Sequence, residues 1–201
     1  MKKPESICIF GDSTSWGAWD LERGGWAGRL WHFVAKRDED YVEVYNLGIA
    51  GGTTKTILKR FENEADARKA DALIFQTGGN DASRNGGAED CVVPIEQFRA
   101  NLEEIIARAK LITDRILFVD LKNCDESRTL PVSWGEYYYR NADMEQYNQV
   151  MEEVCREQGV LFLGLDPLEN SDFDDGLHPN ADGHEKIYVQ IKDFLEKNGW
   201  I

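Results

Sequence analysis

Short, largely apolar runs alternate with longer segments of helical period along the 201-residue chain. The short runs, which have the length of buried strands, cover 7–10, 42–47, 72–77, 115–121 and 160–165. The longer segments carry an apolar stripe and cover 26–37, 53–69, 94–112, 142–159 and 180–197. Parallel strands that are buried on both faces read as continuous apolar runs, and the helices that cover them show one apolar face. The alternation therefore predicts an α/β fold with helices on both faces of a parallel sheet.

The expected connections are right-handed crossovers, which wind such a chain into an open, doubly wound sheet. We predict one domain over 1–201, with three layers and a flavodoxin-like five-stranded parallel sheet of order 2-1-3-4-5. Ligands bind such sheets beyond the carboxyl ends of the central strands. The segments after the first three strands are "GDSTS" (11–15), "GIAGGTT" (48–54) and "GGND" (78–81). These three polar segments are expected to meet at one edge of the sheet.

Charge and hydropathy exclude several classes of partner. The chain has 23 Lys and Arg against 37 Asp and Glu, a net charge of -14, which would repel nucleic acid. No stretch approaches the ~20 apolar residues of a membrane helix. The N-terminal "MKKPESICIF" lacks the apolar core of an export signal. We therefore expect a cytoplasmic protein with neither a nucleic-acid partner nor a membrane span.

The four cysteines, Cys8, Cys91, Cys124 and Cys155, are scattered and form no CxxC pair. This spacing gives no indication of a zinc site and is typical of reduced thiols. A disulfide between Cys91 and Cys124 is the less favoured alternative.

One of the three histidines has a carboxylate close by in the sequence. A serine becomes a nucleophile when a histidine takes its proton, and that histidine needs a carboxylate on its other nitrogen. His178 lies in "DFDDGLHPN" (172–180), three residues after Asp175. His32 is expected to be a surface or partly buried helix residue, and His184 a solvated or capping residue. The stretch around His178 is equally compatible with an ordinary helix-entry loop. A metal site built from Asp172, Asp174, Asp175 and His178 is chemically possible, but the sequence shows no complementary cluster of ligands.

Two of the three converging segments also offer hydrogen-bond donors for an oxyanion. Gly51 presents an unobstructed backbone N–H, and Asn80 presents an uncharged amide N–H. Each residue type is also common in turns. Their joint occurrence at one predicted edge, beside Ser13, favours chemistry over coincidence.

The combination resembles the SGNH subgroup of the GDSL hydrolase family. The matching blocks are "FGDS" (10–13), "NLGIAGGTT" (46–54), "GGND" (78–81) and "DGLHPN" (175–180), in the family's order. The resemblance implies an esterase without cofactor or metal that acts on a small-molecule ester.

The same resemblance implies a role for each matched residue. Ser13 is implied as the nucleophile, His178 as the base and Asp175 as the residue that orients it. The implied oxyanion donors are the backbone amides of Ser13 and Gly51 and the side chain of Asn80.

Gly51 is chosen over Gly48 because it lies five residues after Asn46. Asp12 and Asp81 are expected to brace the loops, and a histidine base, titrating near ~6.5, implies activity that falls in acid.

Two alternatives remain. "GDSTSWGA" (11–18) resembles a flavodoxin phosphate loop, with Trp16 available to cover FMN, although Asp12 is unfavourable beside an anion. A catalytically inactive, carbohydrate-binding member of the family is the other. The segments 83–93 and 122–141 are expected to shape the pocket, where Trp134 and Tyr137–Tyr139 would stack on a sugar ring or line an acyl site.

Overall fold

A parallel five-stranded sheet forms the centre of the computed structural model, which describes residues 2–37, 42–86 and 89–201. Its strands are β1 (Ser6–Gly11), β2 (Glu43–Gly48), β3 (Ala72–Gln76), β5 (Ile116–Val119) and β7 (Leu161–Leu163). Their order is β2-β1-β3-β5-β7, and all neighbours are parallel. Counted within this sheet alone, the order is 2-1-3-4-5, which confirms the predicted flavodoxin-like topology. Two further short strands, β4 (Arg84–Asn85) and β6 (Tyr137–Tyr138), pair antiparallel outside the sheet.

Four of the five predicted helical segments, 26–37, 94–112, 142–159 and 180–197, are single helices in the structure. The helices are α1 (Ser13–Trp16), α2 (Gly25–Ala35), α3 (Thr54–Leu58), α4 (Phe61–Ala67), α5 (Ile95–Ala109), α6 (Glu126–Thr129), α7 (Asn141–Gln158) and α8 (Ala181–Lys197), with a 3-10 turn at Asn170–Asp172. The Asn180 side chain caps α8 by accepting from the backbone N–H groups of Asp182 and Gly183. Gly159 ends α7 at a φ of 66°.

The sheet is buried on both faces, as a doubly wound fold requires. On one face Phe75 stacks between Phe10 and Phe118, with ring centroids 5.5 and 5.0 Å away. This face packs on α3, α4, α5 and α7. The opposite face, which includes Ile9 and Ile74, packs on α2 and α8. Alternate residues of β1 therefore serve two separate cores, and the three-layer prediction is confirmed.

The predicted helix over 53–69 is two helices in the structure, because the backbone leaves helical geometry at Arg60. The first turn of α4 carries Glu62 and Glu64. Carboxylates near the first N–H groups of a helix are favourable, so this stretch supports a new helix N-terminus after Arg60.

The cysteines of the chain are all free thiols, so the alternative Cys91–Cys124 disulfide is absent. Burial raises the pKa of Cys8 and of Cys155 to about 12, which keeps both thiols protonated. Among the described residues, no helix is long and apolar enough to cross a membrane.

Candidate active site

Ser13 lies directly beyond the carboxyl end of β1 and is the first residue of α1. The preceding residue, Asp12, is extended and caps the helix by accepting from the backbone N–H of Thr14 at 2.9 Å. The short helix packs across the end of β2, where a Cβ at Gly48 would lie 2.4 Å from the backbone nitrogen of Trp16. A glycine is therefore required at position 48 by packing. The role predicted for Gly51 is different, because Gly51 is expected to donate its backbone N–H to the oxyanion.

The loop before α8 brings His178 to Ser13. His178 Nε2 lies 2.9 Å from Ser13 Oγ, and His178 Nδ1 lies 2.7 Å from Asp175 Oδ2. The other oxygen, Asp175 Oδ1, accepts the backbone N–H groups of Leu177 and His178 at 2.9 and 2.8 Å. The three side chains that the sequence singled out thus form one continuous hydrogen-bonded chain. Such a chain can move a proton from the hydroxyl to the imidazole while the carboxylate orients the ring.

Trp19 completes the hydrogen bonding of Asp175 by donating its indole N–H to Oδ2 at 3.0 Å. Burial opposes the charge on Asp175, but the side-chain and backbone hydrogen bonds from His178, with that of Trp19, hold its pKa well below the usual range. The carboxylate therefore stays ionised. Sequence reasoning missed this contact, because no local spacing links residue 19 to residue 175.

The segment after β5 holds the loop that carries His178. Lys122 Nζ donates to the Leu177 carbonyl at 2.6 Å, and Asp125 N donates to the Gly176 carbonyl at 2.8 Å. The Arg128 guanidinium donates to the carbonyl of Asp174. Lys122 is buried, which lowers its pKa, whereas the charge of Asp12 acts in the opposite direction. Two side chains and one backbone N–H group make these contacts, and the three residues form no sequence motif.

The predicted oxyanion donors Gly51 and Asn80 lie in the lining of the same cleft as Ser13. Gly51 has a φ of 73°, in the left-handed region that favours glycine. Asn80 Nδ2 donates one hydrogen to the Gly52 carbonyl at 2.9 Å. An amide nitrogen carries two hydrogens, so a second donor remains on Asn80.

The cleft has a volume of about 400 Å³ and is walled by aromatic side chains. Trp16, Trp19, Trp134 and Tyr137 are each between 44% and 52% exposed, and all four line it. The rings of Trp19 and Trp134 also lie beside the His178 ring, at centroid distances of 5.8 and 5.4 Å. The two predicted pocket segments contribute to this wall, although residues 87 and 88 of 83–93 lie outside the described residues.

Comparison with known proteins identifies the family. A sequence model of the GDSL-like lipase/acylhydrolase family matches residues 9–186. The chain belongs to this family. It is an ester hydrolase, as the predicted resemblance implied, and the flavodoxin-like alternative is not supported.

Individual relatives of this GDSL-family hydrolase agree with the assignment. An acetylxylan esterase of Geobacillus stearothermophilus is 22% identical over 171 residues, which is 79% of this chain and 73% of the relative. The solved lipase/acylhydrolase of Enterococcus faecalis has a TM-score of 0.75 at 23% identity, with 96% of each chain covered. The esterase EstA of Pseudoalteromonas sp. has a TM-score of 0.74 at 16% identity, with 96% of this chain and 97% of that one covered. The solved structures show that the fold is shared.

Two carboxylates of the hydrolase brace its loops, as predicted. Asp12 caps α1, and Asp81 accepts the backbone N–H of Thr54 at 3.1 Å together with the Thr54 hydroxyl. Burial raises the pKa of Asp81 to about 6, although the hydrogen bonds from Thr54 oppose that rise. The loops after β2 and β3 are thereby tied together beneath the cleft.

The alternative metal site is not assembled in the hydrolase. Asp172 forms an ion pair with Lys186, whose Nζ lies 2.9 Å from Asp172 Oδ1 and 2.7 Å from Asp172 Oδ2. The described part of the chain contains no group of three or more His, Cys, Asp or Glu side chains placed to hold a metal ion.

The prediction that His184 is solvated is wrong, because its side chain is fully buried, and its own helix, α8, is capped by Asn180. His184 Nε2 donates to the Ala18 carbonyl at 2.9 Å, and Nδ1 accepts from the backbone N–H of Trp26 at 3.3 Å. The ring thus joins α8 to α2 and to the segment that carries Trp19. Burial lowers the pKa of His184 to about 4, so the ring is neutral in the folded protein. His32, by contrast, is exposed, as predicted.

We predict that His184 makes the hydrolase less stable in acid. An unfolded histidine binds a proton near pH 6.5, whereas the folded ring binds one near 4, so protons favour the unfolded chain between these values. His184 should lower the free energy of unfolding by about 2 kcal/mol between pH 7 and pH 5. In urea unfolding, His184→Gln should lack this pH-dependent loss in the free energy of unfolding. Carboxylates such as Asp81 titrate in both proteins, so their contribution cancels in the difference between wild type and variant. His32→Gln is the control. An identical pH dependence in wild type and His184→Gln would contradict the linkage.

Proposed function

We propose that this hydrolase is a serine esterase in which Ser13 is the nucleophile, His178 the general base and Asp175 the residue that orients it. The observation that carries the proposal is the pair of hydrogen bonds from Ser13 Oγ to His178 Nε2 and from His178 Nδ1 to Asp175 Oδ2, at 2.9 and 2.7 Å. Family membership supports the reaction class.

The first half of the reaction forms an acyl-enzyme. Ser13 Oγ attacks the ester carbonyl carbon as His178 Nε2 takes its proton, and the carbonyl oxygen becomes an oxyanion. The ionised Asp175 stabilises the resulting imidazolium. His178 then gives the proton to the alkoxy oxygen, the carbon–oxygen bond to that group breaks, and the alcohol leaves.

The second half releases the acid. Water attacks the acyl carbonyl as His178 accepts a proton from it, and Ser13 leaves with that proton restored. In both halves the oxyanion is held by the backbone amides of Ser13 and Gly51 and by Asn80 Nδ2. Donors that are already in place cost no reorganisation when the charge develops, which is why they accelerate the reaction.

For the substrate, we propose small acyl esters, with O-acetylated carbohydrate as the favoured class. The aromatic wall of the cleft supports this choice, because half-exposed indole and phenol rings suit the faces of sugar rings. The acetylxylan esterase relative supports it independently. A surface with a net charge of -14 also suits neutral substrates better than anionic ones.

We predict that Ser13→Ala abolishes esterase turnover. Loss of the nucleophile in serine hydrolases lowers kcat by roughly 10⁴-fold or more. The measurement is p-nitrophenyl acetate hydrolysis by folded protein. The matched control is Ser15→Ala, two residues away, whose buried hydroxyl donates to Gln76 Oε1 at 3.2 Å and which does not line the cleft. Near-normal turnover by Ser13→Ala would overturn the proposal.

Binding of acetylated sugar by the wild type without hydrolysis would instead favour the inactive, carbohydrate-binding alternative.

We predict that Tyr137→Ala raises KM for an acetylated xylo-oligosaccharide by about tenfold, the equivalent of one lost stacking contact of ~1.4 kcal/mol. Its kcat/KM for p-nitrophenyl acetate should stay within about threefold, since that ester carries no sugar ring to contact Tyr137. Tyr138→Ala is the matched control, because Tyr138 is the adjacent tyrosine and does not line the cleft. A wild-type preference for long-chain over acetyl nitrophenyl esters would indicate an apolar acyl site instead of a sugar site.

A further inference from the structure

The side-chain amide of Asn80 has a fixed orientation because its two ends meet different chemical groups. Its Nδ2 lies 2.9 Å from the Gly52 carbonyl, and its Oδ1 lies 2.9 Å from the Tyr139 hydroxyl. A carbonyl oxygen only accepts hydrogen bonds, so the end beside Gly52 must be the nitrogen. A rotation by 180° would place Oδ1 against the Gly52 carbonyl, with two acceptors in contact.

The Tyr139 hydroxyl therefore donates to Asn80 Oδ1. Burial raises the pKa of Tyr139, and the nearby charge of Asp12 raises it further, so the hydroxyl keeps its proton. Tyr139 is 8% exposed, so its side chain is largely buried.

Tyr139 is itself held in place by its main chain. Its N–H donates to the Thr129 carbonyl at 3.0 Å, and its carbonyl accepts from the Thr129 hydroxyl at 2.9 Å. The Cys124 thiol also donates to that carbonyl, at 3.4 Å. Both the N–H and the carbonyl of Tyr139 are therefore hydrogen-bonded, and this backbone carries the phenol that contacts Asn80.

We infer that Tyr139 is a positioning residue, which holds the Asn80 amide so that the second hydrogen of Nδ2 is presented to the oxyanion. The inference rests on the proposed function, in which Asn80 is an oxyanion donor. Without Tyr139 the amide would keep one anchor, at Gly52, and would turn about that hydrogen bond. The donor would then be aligned in only a fraction of the molecules when charge develops.

The hydrogen bond between Tyr139 and Asn80 joins two segments that are distant in the sequence. Tyr139 directly follows β6, in the segment that forms one wall of the cleft, whereas Asn80 follows β3. The hydrogen bond joins the wall that contacts substrate to the group that contacts the oxyanion. The ring of Tyr139 lines the cleft as well, so removing only its hydroxyl separates positioning from shape.

The test is a double-mutant cycle with Tyr139→Phe and Asn80→Ala, measured as kcat and KM for p-nitrophenyl acetate. Rates are expressed per site titrated with fluorophosphonate, so that only folded, competent protein is counted. We expect Asn80→Ala to lower kcat about a hundredfold. Tyr139→Phe should lower kcat about tenfold at unchanged KM, equally across pH, because an amide does not titrate. The double variant should match Asn80→Ala alone, because a positioning residue has no effect without its partner.

The outcomes separate this inference from the proposed function. If Tyr139→Phe matches wild type while Asn80→Ala is impaired, or if the two losses multiply in the double variant, the positioning role is wrong and the oxyanion assignment stands. If Asn80→Ala keeps full turnover, Asn80 is withdrawn as a donor and this inference falls with it. Tyr138→Phe is the control and should leave kcat unchanged, and a tenfold loss there would show that Tyr139→Phe acts through general disturbance of the segment.

Discussion

The carboxylate of Asp175 is the constraint on which the site depends. It accepts hydrogen bonds from two backbone N–H groups of its own turn, from the His178 ring and from the Trp19 indole. The two backbone bonds close the turn, the ring bond sets the direction of the imidazole, and the indole bond connects the turn to the segment after α1. Because these bonds favour the charged form, the Asp175 carboxylate remains an anion, as its proposed role in stabilising an imidazolium requires.

The sheet supplies the second requirement, which is convergence. Ser13, Gly51 and Asn80 follow β1, β2 and β3, which are neighbours in the sheet, so short loops are enough to bring them together. Beneath them polar groups are buried in pairs: Asp81 binds Thr54, and Lys122 binds the backbone beside His178. In these two pairs, loss of one partner would leave the other group unsatisfied in the interior. These contacts hold the loops that carry the proposed oxyanion donors and His178.

Hydrophobic period was sufficient to predict a doubly wound sheet, and the strand order was that of the flavodoxin-like class. The spacing of Asp175 and His178 alone left an ordinary loop equally open, so the four sequence blocks that resemble the family were needed to assign the site. The two helices within 53–69 were missed because hydrophobic spacing continues across Arg60. The burial of His184 was missed because its neighbours, Ala18 and Trp26, are distant in sequence. The same holds for Trp19, Lys122 and Tyr139: each contacts the site through tertiary packing, and no spacing along the chain encodes such contacts.

In the proposed reaction, His178 activates Ser13 as the nucleophile. The most direct measurement is to label the protein with a fluorophosphonate at neutral pH and to map the modified peptide by mass spectrometry. We expect one stoichiometric adduct, on Ser13, whose formation is at least about a hundredfold slower in His178→Ala and unchanged in His32→Ala. An adduct on another serine, or labelling of Ser13 at the same rate without His178, would contradict the proposed reaction.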